Sequence, residues 1–303
     1  MEPAWYLNLP NNWPKTQPKC IRSNTMRTFP EKLHEAQAAC NSLLCVGLDP
    51  DPQKIPQHLL ARFDLPQAVY HFNAAIIEAT QAFASTFKPN LAFFEALGVQ
   101  GWTVFKKTLE TIPPDKLVIA DAKRGDIGNT ARKYAEAFFV QFDCDAITVA
   151  PYMGADSVLP FLGFAGKAAF VLGLTSNPGA DDFEKQTIVS TNEEPKPLYL
   201  AVAQKVSQWQ TEMPGTAGLV VGATQADAMR AIREETPSLP FLIPGVGTQG
   251  GDLHLAVSEG AANGGPVLIN ASRGILYATT GRDFAEAAAL QAQKLAQQMP
   301  YQA

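Results

Sequence analysis

The sequence predicts one α/β domain of the (β/α)8 class, a TIM barrel, preceded by an irregular N-terminal extension. Eight short apolar segments alternate with helical patterns, which is typical of parallel strands joined by helical crossovers. No G-x-G-x-x-G motif follows the first strand, which argues against a doubly wound dinucleotide-binding sheet. Polar residues end strands along the whole chain, and only a closed barrel brings all of those ends to one rim. They are Asp49, Lys88, Asp121, Lys123, Ser176 and Arg273.

The predicted elements follow one another from residue 30 onward. We expect strands at 43–48, 86–90, 117–120, 146–149, 168–174, 218–221, 241–243 and 267–270. Helices are expected at 31–41, 65–83, 101–111 and 131–142, and Asn129 or Thr130 can cap the last of these. The insertion 181–197 is polar and rich in Glu and Pro, so we expect a surface loop there.

The N-terminal segment differs from the rest of the chain. Prolines at positions 3, 10, 14, 18 and 30 interrupt it, and no periodicity is sustained. We therefore expect residues 1–29 to form an irregular extension and residues 30–303 to form the catalytic barrel.

Composition limits the classes of partner. The chain has 303 residues, 24 basic and 29 acidic, and no basic stripe that would indicate nucleic-acid binding. Its apolar runs are too short to cross a membrane, and the N-terminus has no signal-peptide pattern. The cysteines show no C-x-x-C spacing, which favours reduced thiols in a cytoplasmic protein over disulfides or metal ligands.

The chemistry is expected to centre on the sequence L-V-I-A-D-A-K-R-G-D-I-G-N-T-A, residues 117–131. Charges at the end of a buried parallel strand are typical of a site at the carboxyl edge of the sheet. Side chains alternate along a strand, so Asp121 and Lys123 are expected on the same side. Asp126 follows in a loop that Gly125 and Gly128 allow to turn sharply. An ordinary salt-bridged strand end remains an alternative.

Two earlier strand ends add candidate residues. Lys88 lies in an apolar setting, where an unpaired charge is costly, so we expect it to reach Asp121 on the neighbouring strand. The alternative is a lysine that extends to the rim without a role. Asp49 ends the first strand and can either cap the next segment or bind a substrate hydroxyl.

Two late loops favour a phosphate ligand. The sequence P-G-V-G-T-Q-G-G, residues 244–251, offers backbone amides with little side-chain obstruction, and such amides can surround an anion. Arg273 follows the last strand, and its guanidinium matches phosphate oxygens. Barrels commonly bind phosphate between the loops after strands seven and eight. A merely flexible loop is the alternative for residues 245–251.

The order of these motifs resembles the orotidine 5′-phosphate decarboxylase family, in its longer bacterial-type branch, from about Met26 to the C-terminus. The resemblance implies the following roles. Asp49 and Lys88 bind ribose hydroxyls, and Ser176 (in L-T-S-N-P-G-A) contacts the pyrimidine. Gln249 and Arg273 hold the phosphate. The catalytic charge array consists of Lys88, Asp121, Lys123 and Asp126, and two residues, Asp126 and Thr130, cross a homodimer interface. Ser272 departs from the glycine of many relatives. Met26 resembles a natural start, so residues 1–25 are expected to be an extension or an upstream start.

The implied reaction needs no metal or organic cofactor. Loss of CO2 from C6 of the pyrimidine leaves a carbanion, and Lys123 would stabilise and then protonate it. One alternative is a keto-gulonate 6-phosphate decarboxylase, a metal-dependent relative that shares D-x-K-x-x-D but carries glutamate where this chain has Lys88. The other is a non-catalytic phosphate-binding barrel.

Overall fold

The computed structural model describes residues 27–189, 194–246 and 251–302. Within them, eight parallel strands close into a barrel in which each strand pairs with its sequence neighbours and the last strand pairs with the first. The strands are β1 (Leu44–Leu48), β2 (Thr86–Pro89), β3 (Leu117–Arg124), β4 (Ala146–Val149), β5 (Ala168–Leu174), β6 (Thr216–Val221), β7 (Phe241–Pro244) and β8 (Val267–Ala271). The predicted (β/α)8 barrel is confirmed.

Helices accompany the strands, and those after the first bury their apolar faces against the outer side of the barrel. They are α1 (Phe29–Cys40), α2 (Gln57–Leu60), α3 (Leu65–Thr80), α4 (Leu91–Glu95), α5 (Val99–Thr111), α6 (Gly128–Glu136), α7 (Ala155–Leu162), α8 (Leu198–Gln210), α9 (Ala226–Glu235), α10 (Leu253–Gly260), α11 (Arg273–Leu276) and α12 (Phe284–Gln298). In the part of the chain that the structure describes, no helix is both long and apolar enough to span a membrane.

Helix α1 closes the end of the barrel where the strands begin. Phe29 is fully buried and meets the Phe170 ring edge-on, with the ring centroids 5.8 Å apart. The Lys32 ammonium pairs with Asp145 at 2.8 Å, and Thr28 caps the helix in a reciprocal arrangement with Glu31. Phe29, one residue before the predicted start of the barrel, therefore belongs to the barrel core. The rest of the expected extension, residues 1–26, lies outside the described residues.

Two other predicted elements, the helix at 131–142 and the insertion at 181–197, differ from the structure. Helix α6 begins at Gly128 rather than at residue 131, its N-cap is Ile127, and neither Asn129 nor Thr130 caps it. A π-helical turn, Ala137–Gln141, follows it. The insertion expected to be a surface loop begins within a 3-10 turn, Pro178–Asp182, and contains a short antiparallel pair, Thr187–Ile188 with Lys196–Pro197.

Candidate active site

Two lysines share one buried carboxylate at the carboxyl end of β2 and β3. The Lys88 Nζ lies 2.7 Å from Asp121 Oδ2, and the Lys123 Nζ lies 2.5 Å from Asp121 Oδ1. The pairing of β2 with β3 brings Lys88 to Asp121, as the sequence predicted. The two lysines differ in accessibility: the side chain of Lys88 is 5% exposed and that of Lys123 is 51% exposed. Lys123 is therefore the cation that a ligand can reach directly.

The ion pair between Lys88 and Asp121 keeps both groups charged. Burial by itself would lower the pKa of Lys88, but the negative charges of Asp121 and Asp49 raise that pKa above its usual value. Burial would likewise raise the pKa of Asp121, but Lys88 and then Lys123 hold it well below its usual range. The site thus presents a fixed array of alternating charges near neutral pH.

A bulge in β3 orients Asp121 and Lys123. Strand β3 pairs with β4 through Ala120 and Ile147 and again through Arg124 and Val149, so residues 121–123 lie opposite a single residue of β4. Lys123 takes a left-handed backbone conformation there, with φ of 47°. The predicted meeting of Asp121 and Lys123 is confirmed, but simple strand alternation is not its cause.

Thr148 is the residue that faces this bulge, and the sequence analysis missed it. Its Oγ1 donates to Asp121 Oδ1 at 3.0 Å and accepts from the backbone amides of Ala122 and Lys123 at 3.0 and 2.9 Å. One hydroxyl, itself buried, therefore fixes both the carboxylate and the bulged backbone. The available signal was a lone hydroxyl residue in the otherwise apolar run Ala146–Val149.

Asp49 lies at the end of β1 with one carboxylate oxygen held and the other unpaired. The Ser272 hydroxyl donates to Oδ2, while the buried Oδ1 has no hydrogen-bond donor among the described residues. Tyr277 fixes the backbone, because its hydroxyl donates to the Asp49 carbonyl and accepts from the Asp51 amide, both at 2.6 Å. Asp51, not Asp49, caps the following 3-10 turn. An unpaired buried acceptor of this kind suits a ligand hydroxyl.

The remaining predicted ligand contacts lie at the ends of β5, β7 and β8. Ser176 is half-buried two residues after β5, and Arg273 is exposed at the start of α11, just after β8. Strand β8 pairs with β7, so Arg273 and the loop after β7 start from adjacent strands. Gly245 and Gly251 join the two ends of that loop by a backbone hydrogen bond of 3.3 Å. Gln249 lies outside the described residues.

Comparison with known proteins identifies the family. The model of the orotidine 5′-phosphate decarboxylase / HUMPS family matches residues 42–288. The chain belongs to this family. It is 47% identical over 268 residues to the orotidine 5′-phosphate decarboxylase of Dehalococcoides mccartyi strain CBDB1, covering 88% of this chain and 95% of that protein. The Phocaeicola vulgatus decarboxylase is 45% identical over 272 residues, covering 89% and 97%.

Solved structures of the family share the fold. The orotidine 5′-monophosphate (OMP) decarboxylase of Leishmania donovani superposes with a TM-score of 0.73 at 37% identity, covering 89% of this chain and 99% of that one. The UMP synthase of the same organism gives a TM-score of 0.74 at 38% identity. That match covers 88% of this chain but only 56% of the synthase. The similarity to the synthase therefore concerns about half of that chain.

Two residues of the family motif are expected to cross a dimer interface. Asp126 lies on the loop after β3, and Thr130 lies on the first turn of α6. Asp126 Oδ1 accepts from the Ile127 amide at 2.7 Å, and Thr130 is exposed. Among the described residues of this one chain, neither forms a hydrogen bond or ion pair with Lys88, Asp121 or Lys123. Their place in the site stays a prediction.

Proposed function

We propose that this chain decarboxylates orotidine 5′-phosphate to UMP, the last step of de novo pyrimidine nucleotide synthesis, through its own charged side chains. The observation that carries the proposal is the shared carboxylate of Asp121. One of its oxygens pairs with the buried Lys88 and the other with the exposed Lys123. The names of the relatives with 45–47% identity over most of their length support the same substrate. A cytoplasmic location and reduced thiols at Cys40, Cys45 and Cys144 are predicted with it.

Lys123 supplies both the counter-charge and the proton in the proposed reaction. The C6 carboxylate leaves as CO2, and the electron pair of the broken bond stays on C6. The Lys123 ammonium stabilises this carbanion and transfers one proton to C6, after which the amine regains a proton from solvent. A preorganised cation favours the charge that develops in the transition state without having to reorganise. Its exposure of 51% is consistent with access to both substrate and solvent.

Asp121 lies beside the departing carboxylate in the same scheme. At an effective dielectric constant of 20, two unit charges about 4 Å apart repel by about 4 kcal/mol. We assign Asp121 mainly to holding Lys123 and Lys88 in place, because both of its oxygens are already paired with them. Electrostatic preorganisation then contributes more than destabilisation of the bound substrate.

The rest of the site binds the nucleotide. The unpaired Oδ1 of Asp49 accepts a ribose hydroxyl, and Lys88 donates to another with a proton that Asp121 does not use. Ser176 contacts the pyrimidine, while Gln249 and Arg273 hold the phosphate. Phosphate binding far from C6 contributes energy that orders the reacting groups. Asp126 and Thr130 enter the site of a partner subunit in a homodimer.

The loss of orotidylate absorbance in the presence of EDTA tests the reaction. Full activity is expected, because Lys88 occupies the position where the metal-dependent keto-gulonate 6-phosphate decarboxylases carry glutamate, and an ammonium cannot ligate a metal. Activity that EDTA abolishes and a divalent ion restores would favour that rival. No turnover of orotidylate, together with tight UMP binding, would favour a non-catalytic barrel.

Subunit mixing tests the shared site. Lys123→Ala and Asp126→Asn homodimers should each be nearly inactive, but a mixed dimer has one intact site when Asp126 acts in the neighbouring subunit. Equal amounts form about half mixed dimers, so about a quarter of wild-type activity should return. Lys123→Ala exchanged with itself is the control. No recovery after verified exchange would mean that Asp126 acts within its own chain.

A further inference from the structure

Glu184 holds the loop that carries Ser176, although it lies in the insertion after β5. The Thr175 amide donates to Glu184 Oε2 at 2.7 Å, and the Thr175 hydroxyl lies 3.0 Å from both carboxylate oxygens. The same hydroxyl lies 2.7 Å from Asn177 Oδ1. One carboxylate therefore fixes the peptide immediately before Ser176, and bonds of this kind to a charged acceptor are stronger than neutral ones.

The insertion is anchored well enough to act as a support. The Glu184 carbonyl accepts from the Tyr199 amide at 2.8 Å, and the Gln186 carbonyl accepts from the Leu198 amide at 2.9 Å, both in the first turn of α8. The Lys185 amide donates to the Ala180 carbonyl at 3.1 Å on the other side. Glu184 thus stands on a segment tied to α8, and its side chain reaches back to the end of β5.

Gly222, just after β6, contacts Ser176 directly. A Cβ at Gly222 would lie 2.8 Å from the Ser176 amide nitrogen and 2.9 Å from the Ser176 Cβ. The backbone after β6 therefore packs directly against Ser176. This contact is made by backbone, which cannot rotate away as a side chain can, so the Thr175–Ser176 peptide is held by Glu184 beside a fixed neighbour.

We propose that Glu184 is a positioning residue for recognition of the pyrimidine, and that it acts through the Thr175–Ser176 peptide. The inference rests on the proposed role of Ser176 in the decarboxylase site. It assigns to the insertion a part in substrate selectivity. Loss of the Glu184 carboxylate frees the Thr175 amide and lets Ser176 move away from the base, while the phosphate and ribose contacts at Arg273 and Asp49 stay in place.

The test compares a ligand that has the base with one that lacks it. Binding of UMP and of ribose 5-phosphate is measured for wild type, Ser176→Ala, Glu184→Ala, Glu184→Gln and the Ser176→Ala/Glu184→Ala double variant. Glu194→Gln is the matched control, because Glu194 is exposed in the same insertion. Glu184→Ala should weaken UMP binding on the order of tenfold and change ribose 5-phosphate binding less than about twofold. Glu184→Gln, which keeps an acceptor oxygen, should recover part of the loss.

The double variant shows whether Glu184 works through Ser176. It should bind UMP no more weakly than Ser176→Ala does, because the two changes remove one interaction. Equal losses for both ligands, or additive losses in the double variant, would overturn the proposal. If Ser176→Ala weakens UMP binding selectively and Glu184→Ala does not, the role of Ser176 stands and that of Glu184 falls. If neither affects UMP selectively, both assignments fall. Glu184→Gln keeps the test valid if Glu184→Ala does not fold.

Discussion

Replacing Thr148 by valine removes one hydroxyl from the end of β4 while keeping the size and branching of the side chain. In the wild type that hydroxyl donates to Asp121 and accepts from the amides of Ala122 and Lys123. Valine can make none of these bonds, so the bulge that places Lys123 loses its support. The change therefore separates the hydroxyl from the packing of the strand.

The size of the effect follows from those three bonds. A hydrogen bond to a charged group contributes about 1.5–3 kcal/mol, and leaving a buried amide without a partner costs about 1–3 kcal/mol. Both amides are only partly buried, so the lower end applies to them. We expect Thr148→Val to lower the free energy of unfolding by about 2–4 kcal/mol. The variant should also have a lower kcat, because Lys123 is no longer fixed. Thr148→Ser should recover most of both losses.

Urea denaturation and steady-state kinetics measure the two effects separately. UMP binding serves as the control for the phosphate and ribose contacts, and it should change much less than kcat. If Thr148→Val keeps the stability and kcat of the wild type, the hydroxyl does not orient the charge array. A serine variant as impaired as the valine variant would show that the hydroxyl alone does not support the site and that the packing of the side chain matters as well.

Three further predictions concern phosphate binding, pH and packing. Arg273→Ala should weaken UMP binding by about 1.5–3 kcal/mol and leave uridine binding unchanged; equal losses in titration calorimetry would make Arg273 structural. Asp121→Asn should destabilise the fold by about 3–5 kcal/mol at pH 7, because Lys88 is left buried without its partner. Burial raises the pKa of Asp121, but Lys88 and Lys123 lower it by more, so the folded pKa lies below the unfolded value of about 3.9. The ionised Asp121 therefore stabilises the fold fully above about pH 3.9, and this stabilisation is lost as the pH falls further. The difference in the free energy of unfolding between wild type and Asp121→Asn should therefore narrow below about pH 4. A difference that stays constant down to about pH 2 in denaturation experiments would contradict this. Gly47→Ala should lower the free energy of unfolding by about 1–3 kcal/mol, because its Cβ would lie 2.9 Å from the Ser272 Cβ. Adding Ser272→Gly should raise the melting temperature again. No rise would show that the clash does not involve Ser272.

The barrel and the core of the site follow from local sequence patterns. Each barrel strand is a short apolar run, and Lys88, Asp121 and Lys123 are charged where such a run ends. Closure of the barrel then brings neighbouring strand ends together, so the contact of Lys88 with Asp121 is predictable without coordinates. The contact of Lys123 with the same carboxylate depends in addition on the bulge in β3.

Features that depend on contacts distant in sequence were not predictable. The bulge at residues 121–123 arises because Thr148, on another strand, satisfies two amides at once. Glu184 lies in a polar segment whose composition indicates only exposure, and its contact with Thr175 depends on how the insertion packs against α8. Phe29 follows a proline-rich segment, and only the closed end of the barrel makes it part of the core.

The central claim is that Lys123 carries the chemistry and does little for nucleotide binding. The decisive measurement is kcat for orotidylate decarboxylation together with the Kd of UMP, in wild type and Lys123→Ala. Because Lys88 still neutralises Asp121, the variant should fold and bind UMP within roughly tenfold of wild type, a difference of about 1.4 kcal/mol. Its kcat should fall to the limit of detection. A Lys123→Ala enzyme that keeps more than a small fraction of the wild-type kcat would contradict the account.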